Sequence, residues 1–154
     1  MNAEQQIRLN DFFVNIFNQI LAWEGQTLKK VGAKNLSIRE LHVIEAVSDS
    51  VKLGQNTMAS IAKHLSISPG ALSTSVNGLV NKGYLEREYT SKDRRVIYIN
   101  LTEAGREINE IHEAFHLEMI NAVGERLDDT QLNTVLESLD ALKEFFRDKI
   151  EQSK

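Results

Sequence analysis

Apolar residues recur every three or four positions along six segments of the chain, and they alternate with polar residues along two short ones. The first spacing predicts amphipathic helices and the second predicts β-strands. The predicted helices cover, in chain order, about residues 5–31, 37–48, 57–65, 69–82, 102–126 and 129–150, and the predicted strands cover 84–89 and 96–101. The pattern therefore predicts a mainly α protein with one β-hairpin.

Several predicted helix boundaries carry recognised end signals. Ser37 and Glu40 have the spacing of a capping box, in which each side chain accepts a hydrogen bond from the other residue's backbone. Ser68 stands where an N-cap is expected, Pro69 follows at the first helical position, and Gly83 ends that helix. Residues 57–82 are therefore predicted to form a pair of helices joined by a short turn.

A helix pair followed by a basic hairpin is typical of proteins that bind DNA, because the second helix fits the major groove and the hairpin reaches the minor groove. Residues 52–100 hold seven Lys and Arg against three Asp and Glu, whereas the rest of the chain holds eleven against nineteen. A basic segment on an acidic chain of net charge −4 suits binding of a polyanion through one face. On the second helix, small or hydrogen-bonding residues lie opposite the apolar ones; they are Gly70, Ser73, Thr74 and Asn77.

Composition excludes several other classes of protein. A chain of 154 residues makes one domain or a tightly fused pair and can bury a real core, and zero cysteines exclude disulfides and thiolate metal sites. There is no apolar run near 18 residues, so no membrane span is expected, and the polar N-terminus predicts a cytoplasmic protein.

The terminal helices contain more apolar side chains than a small winged helix needs as cover. A second copy of the chain would bury them in a two-fold interface and set two recognition helices about one DNA turn apart. The sequence therefore predicts a homodimer on a pseudo-palindromic double-stranded operator. We expect a single domain over 1–154, with a DNA-binding lobe at about 37–101 and dimerisation helices at about 5–31 and 102–150.

The hairpin tip and the strand after it resemble the MarR family of winged helix-turn-helix repressors. The family's wing signature, Asp-x-Arg followed by a strand ending in Leu-Thr, appears as Asp93-Arg94-Arg95 through Leu101-Thr102. The resemblance implies that Arg95 enters the minor groove, that Asp93 orients it and that Arg94 lies near a phosphate or the groove edge. The DNA-contacting residues expected on this basis are Ser68, Gly70, Ser73, Thr74, Asn77, Lys82, Lys92, Asp93, Arg94 and Arg95.

Other segments resemble the fatty-acid-synthesis repressor branch of that family, called FabT. They are residues 17–21, 36–42, 73–77 and 82–84, together with His112, Phe115 and His116. This resemblance implies repression of fatty-acid biosynthesis genes with long-chain acyl-acyl carrier protein as the effector. Trp23 and Gly25, which flank Glu24, and Pro69 and Gly70, which open the recognition helix, depart from the pattern of this branch.

Residues 112–116, His-Glu-Ala-Phe-His, match the zinc-protease pattern of two histidines one helical turn apart with a glutamate after the first. No third ligand follows at the expected spacing, so we reject hydrolysis and predict that the protein is not an enzyme, with no catalytic residue.

A sensory zinc site is the second hypothesis. His42 and Glu24 could complete a four-coordinate site with His112 and His116, and the zinc-responsive MarR branch resembles the chain at these four positions. The alternative is a polar cluster whose members satisfy one another, or the wall of an acyl pocket. A required cofactor is therefore not predicted, and zinc remains possible.

The effector pocket is expected between the first, second and fifth helices. Its candidate residues are Phe13, Phe17, Leu21, Glu24, Leu28, Leu41, His42, His112, Phe115 and His116. Each apolar member could equally be ordinary core. Because an acyl carrier protein is acidic, its docking site should be basic, and Lys29, Lys30 and Lys34 are the candidates.

Overall fold

The computed structural model describes residues 1–89 and 96–152. Within them the chain forms six helices and a two-stranded antiparallel sheet. In order these are α1 (Ala3–Lys30), α2 (Ile38–Lys52), α3 (Met58–His64), α4 (Pro69–Asn81), β1 (Leu85–Tyr89), β2 (Ile97–Leu101), α5 (Glu103–Gly124) and α6 (Asp129–Gln152). The predicted mainly α fold with a single hairpin is confirmed.

Local capping sets the helix starts. The Ser37 hydroxyl accepts from the Glu40 backbone N–H at 3.3 Å, and the Glu40 carboxylate accepts from the Ser37 N–H at 3.0 Å, which is the expected capping box. Ser68 Oγ accepts from the Ala71 N–H at 3.2 Å, with Pro69 at the first helical position. A further capping box, between Asn2 and Gln5, begins α1 and was not predicted.

The joint between α3 and α4 is a tight turn closed by backbone hydrogen bonds. Ser66 N donates to Lys63 O and Ile67 N donates to Ala62 O, both at 3.1 Å, so the last carbonyls of α3 are satisfied. Ser66 takes a positive φ of 53° to make this turn, a conformation that glycine adopts more easily. Gly83 (φ 81°) ends α4 in the same way.

The core lies where α2, α3 and α4 meet the sheet. Its side chains with almost no exposure are Leu41, Ile44, Val47, Ile61, Leu72, Val76, Leu79, Leu85 and Ile99. β1 and β2 pair from Leu85 opposite Leu101 to Tyr89 opposite Ile97, and we call this hairpin the wing. Because its buried residues belong to the same core as α4, the wing is fixed to that helix.

The helix α2 runs four residues beyond the predicted end at 48. The Ser-Asp-Ser segment at 48–50 has weak helix propensity, but Ser48 and Ser50 are buried, so tertiary packing extends the helix to Lys52. The chain divides into two compact units, Met1–Phe115 and His116–Lys154. None of the described helices is long and apolar enough to cross a membrane.

Candidate functional site

The exposed face of α4 carries the residues predicted to contact DNA. Leu72, Val76 and Leu79 are fully buried, which turns Gly70, Thr74 and Asn77 outward. Ser73 is half-buried, and Ser68 is committed to capping through its hydroxyl. Among the described residues, nothing lies within 4 Å of the position that a Cβ on Gly70 would take, so the start of α4 presents its backbone openly.

Two of these side chains already have partners within the chain. Thr74 Oγ1 donates to Gly70 O at 3.1 Å, which leaves its oxygen lone pairs as acceptors. Arg87, on β1, donates from its guanidinium to Asn77 Oδ1. The wing is therefore hydrogen-bonded to a side chain on the exposed face of α4, which we call the recognition face.

Lys82, predicted to contact a phosphate, has an internal role. Its ammonium group lies 2.7 Å and 2.8 Å from the two Glu40 carboxylate oxygens and 2.6 Å from Asn35 O. Burial acts to raise the pKa of Glu40, but the hydrogen bonds from Lys82 and Ser37 outweigh it and leave that pKa below its usual value. The ion pair ties the end of α4 to the start of α2, and a phosphate would have to compete with Glu40 for Lys82.

The four wing-tip candidates, Lys92, Asp93, Arg94 and Arg95, lie outside the described residues. Their expected contacts with the minor groove and the backbone stay predictions.

A compact polar cluster joins three helices of the first unit. Glu24 on α1 and His112 on α5 are each 2% exposed, and Glu24 Oε1 accepts from His112 Nε2 at 2.6 Å. The same oxygen lies 3.2 Å from Nε2 of His42 on α2, whose side chain is 42% exposed. One buried carboxylate oxygen therefore links α1, α2 and α5, and His42 gives the cluster access to solvent.

Aromatic packing and a second carboxylate surround His112. The His112 and Phe115 rings are nearly parallel, with centroids 6.4 Å apart, and Trp23 packs edge-on against Phe115 at 4.8 Å. Glu45 Oε2 lies 3.9 Å from His112 Nδ1. The fourth expected ligand, His116, is the first residue of the second unit, and its part in the cluster stays a prediction.

The donor set of this cluster fits zinc. Glu24, His42 and His112 each offer one ligand atom, and these atoms lie within 4.8 Å of one another. Tetrahedral zinc with bonds near 2.0–2.1 Å holds its ligand atoms about 3.3 Å apart, so small side-chain rotations suffice. Zinc would bind each imidazole in its neutral form through Nε2, with the ring proton on Nδ1.

The glutamate of the protease-like pattern, Glu113, is engaged elsewhere. Its carboxylate accepts from Lys52 Nζ at 2.7 Å and from Asn109 Nδ2 at 2.9 Å. The Lys52 hydrogen bond lowers the pKa of Glu113 and raises that of Lys52. Asn109, which is buried, also donates to Ser48 Oγ at 3.1 Å. Glu113 thus helps to join α5 to α2.

A groove of about 810 Å³ runs from the polar cluster to α4. Its lining consists of Leu21, Ile38, Arg39, His42, Val43, Leu65, Ile67, Ala71, Thr74 and Ser75. His42 stands on one wall, and Thr74 belongs to the recognition face. An occupant of this groove would touch both the cluster and the helix proposed to bind DNA.

The predicted pocket residues other than Glu24, His112 and His116 separate into three groups. Leu21 and His42 line the groove. Leu41 and Phe115 are buried within the protein, as the ordinary-core alternative expects, and Leu28 is buried but lines a second cavity. Phe17 is 60% exposed and Phe13 is half-buried on α1.

A second cavity, of about 510 Å³, lies at the junction of α1 and α2. Lys29 and Lys34 stand in its wall beside Leu28, Leu36 and Ile38. Two of the three lysines considered for carrier-protein docking therefore border an apolar depression, whereas Lys30 is exposed beside them in sequence.

Comparison with known proteins gives the family. A family model described as transcriptional regulator SarA/Rot matches residues 26–113. The chain belongs to this family. The crystal structure of FabT from Streptococcus pneumoniae in complex with DNA is 30% identical, covers 93% of this chain and 98% of that one, and superposes with a TM-score of 0.85. The chain is thus a transcriptional regulator of the MarR type, as its wing and helix pair predicted.

Two further relatives extend the comparison. The HTH-type transcriptional regulator YhjH of Bacillus subtilis (strain 168) is 26% identical over 129 residues, which cover 75% of this chain and 72% of YhjH. The regulator ZitR of Lactococcus lactis subsp. cremoris is 28% identical over 95 residues, or 60% of this chain and 66% of ZitR, and is described as a zinc-responsive MarR family member. These relatives are transcriptional regulators and not enzymes, so the rejection of hydrolysis is confirmed.

Sequence reasoning missed the contacts made from outside α4. Arg87 stands two residues after buried Leu85 on β1, and this alternation could have placed it on the face toward α4. The ion pair between Glu40 and Lys82 joins residues 42 apart and has no local signal. The groove also has no local signal in the sequence, since its lining residues Ile38, Leu65 and Ala71 each look like ordinary helix or turn residues.

Proposed function

We propose that the protein is a dimeric repressor of fatty-acid biosynthesis genes, which binds a pseudo-palindromic operator and responds to long-chain acyl-acyl carrier protein. The observation that carries this proposal is the similarity to the FabT–DNA complex over nearly the whole chain. The gene class and the effector are taken from the resemblance to the fatty-acid branch. An effector bound in the groove beside α4 would control DNA binding by that helix.

DNA contact would come from the exposed face of α4 and from the wing. Thr74 and Asn77 would offer hydrogen-bonding groups to base edges in the major groove, and Arg95 would enter the minor groove. A dimer would set two such units about 34 Å apart.

Exposed apolar side chains at the two ends of the chain support the dimer. On α1 they include Ile7, Phe12 and Phe17, and on α6 they include Leu136, Leu139, Phe145, Phe146 and Ile150. Side chains of this size are seldom left in water in such numbers, and a second copy that covers them would form a two-fold interface.

Control would act through the groove. Its apolar side chains from α1, α2 and α4 suit an acyl chain, and its volume lies within the usual range of ligand sites. An acyl chain that fits better in one position of α4 than in another shifts the population toward that position. A coupling of about 1–3 kcal/mol would change operator affinity roughly 5–150-fold. Lys29, Lys30 and Lys34 would attract the acidic carrier.

An operator gel shift tests the proposal directly. We expect a specific shift of fatty-acid-gene promoter DNA whose midpoint moves at least fivefold with long-chain acyl-acyl carrier protein and not with the unacylated carrier. Leu21→Arg, which places a charge in the groove, should abolish this response without loss of the basal shift. A midpoint that ignores the acylated carrier would refute the effector assignment.

A zinc-responsive repressor is the second candidate, favoured by the donor geometry of Glu24, His42 and His112 and by the likeness to ZitR. In this case calorimetric titration should show zinc binding, and the bound zinc should change operator affinity, because Glu24, His42 and His112 come from three helices. His112→Ala should lose both responses. Equal gel shifts with zinc and with chelator would exclude this candidate.

A further inference from the structure

We infer that Arg87 determines which base Asn77 recognises, by holding the Asn77 side-chain oxygen so that the amide N–H groups face the DNA. On the proposed function, α4 contacts the operator, and Asn77 lies on its exposed face. Arg87 itself belongs to the wing strand β1 and not to the recognition helix. The choice of base would thus depend on a residue outside α4.

The position of Arg87 follows from the period of a strand. Leu85 is buried in the core beneath α4, and Arg87, two residues on, projects from the same face of β1. It is half-buried, and its guanidinium donates to Asn77 Oδ1. Asn77 and Arg87 are ten residues apart, and the chain between them holds only the end of α4, one tight turn and the start of β1. The backbone positions of both residues are therefore fixed.

The chemistry of arginine fixes which way the amide of Asn77 points. A guanidinium has five donors and no acceptor, so it can pair with the oxygen of an amide but not with its NH₂ group. Asn77 therefore turns Oδ1 toward Arg87, and its Nδ2 donors remain for other partners. The nearby positive charge also polarises the amide and strengthens these donors.

This orientation changes the bases that Asn77 can select. An asparagine pairs with adenine by accepting from N6 and donating to N7, which needs both ends of the amide. Arg87 occupies one lone pair of Oδ1 and, as we infer, turns the NH₂ group of Asn77 toward the bases. These donors match the acceptors N7 and O6 of guanine or O4 of thymine, whereas adenine would set its own N6 donor against them. We therefore expect guanine or thymine, not adenine, at the operator position that Asn77 contacts.

Selection from a randomised operator library tests this inference. The wild-type protein should enrich guanine or thymine about tenfold at one position of each half-site. Asn77→Ala should lose the preference at that position alone, and Arg87→Ala should lose it there or shift it toward adenine. Arg87→Lys, which retains a donor-only cation, should restore much of the wild-type preference.

Salt dependence separates this role from a simple phosphate contact. If Arg87 merely neutralised a phosphate, Arg87→Ala would weaken binding to all sequences equally and reduce the salt slope by about one. Lys63→Ala, an exposed charge-loss variant on α3, serves as the control and should leave base preferences unchanged.

The outcomes distinguish the two levels of the proposal. A wild-type protein that enriches no DNA sequence would refute the proposed function. Enrichment of adenine at the Asn77 position, or an Arg87→Ala variant that enriches the same bases as the wild type, would overturn only the role of Arg87. Melting temperatures of all variants within a few degrees of one another would exclude misfolding as the cause.

Discussion

Gly105 is the position where adding one methyl group should do most damage. It lies in the first turn of α5, and a Cβ built there would overlap the Tyr84 carbonyl oxygen while standing 3.1 Å from the Tyr84 carbonyl carbon and 3.3 Å from Leu101 Cβ. That carbonyl oxygen also accepts from Thr102 N at 3.1 Å. The two Tyr84 atoms are backbone and Leu101 Cβ is fixed directly to the backbone, so none of them can turn aside as the end of a flexible side chain would.

The magnitude follows from three opposing contributions. Overpacking in a buried site costs about 1–3 kcal/mol, and loss of the Thr102 hydrogen bond costs about 1 kcal/mol. Alanine recovers about 1 kcal/mol because it is the better helix former. Gly105→Ala should therefore lower the free energy of unfolding by about 2 kcal/mol, which corresponds to a fall in Tm of roughly 4–8 °C for a chain of this size.

Thermal unfolding followed by circular dichroism at a fixed protein concentration measures the change, because a dimer's Tm depends on concentration. Gly124→Ala provides the matched control, since the same substitution near the other end of α5 meets nothing within 4 Å. That variant should be neutral or slightly more stable. Equal Tm values for the two variants would contradict the close approach of α5 to Tyr84.

Three further outcomes are expected. Glu40→Gln should destabilise the protein at neutral pH but not at low pH. Because the pKa of Glu40 is lowered in the folded state, its contribution to stability is present above the unfolded carboxyl pKa of about 4.3 and is lost as pH falls through the folded value. Urea unfolding at both pH values should therefore show that the difference in stability between wild type and variant disappears at low pH. Leu72→Ala, at a fully buried site, should cost about 2–5 kcal/mol in the same assay, and a loss below 1 kcal/mol would mean that α4 is not anchored as described. Arg95→Ala should weaken operator binding strongly and flatten its salt dependence by about one phosphate equivalent, and unchanged affinity would remove the wing from the DNA interface.

The elements of this fold could be predicted because their signals are local. The capping box at Ser37, the cap at Ser68 and the stop at Gly83 each need only a few neighbouring residues, and the structure has all three. The end of α2 could not be predicted, since burial of Ser48 and Ser50 in three dimensions overrides their low helix propensity.

The residues of the candidate site could be predicted from the sequence, but most of the contacts between them could not. Helical periodicity and family resemblance led to Glu24, His42 and His112, which the structure joins through one carboxylate oxygen. The partners of Lys82 and Asn77 depend on how α2 and the wing pack against α4, and no sequence period encodes those contacts. Leu41, which lies in the core, illustrates the converse, because apolar spacing cannot tell a core residue from a pocket wall.

The helix α2 carries Glu40 and His42 two positions apart, so they project from different sides of it. One side is tied to the end of α4 through Lys82, and the other faces Glu24 on α1. If the proposed function holds, substitutions on the α1 side would change the effector response without altering the attachment of α4. On that basis α1 and α5 are the helices to redesign in a biosensor that keeps its operator.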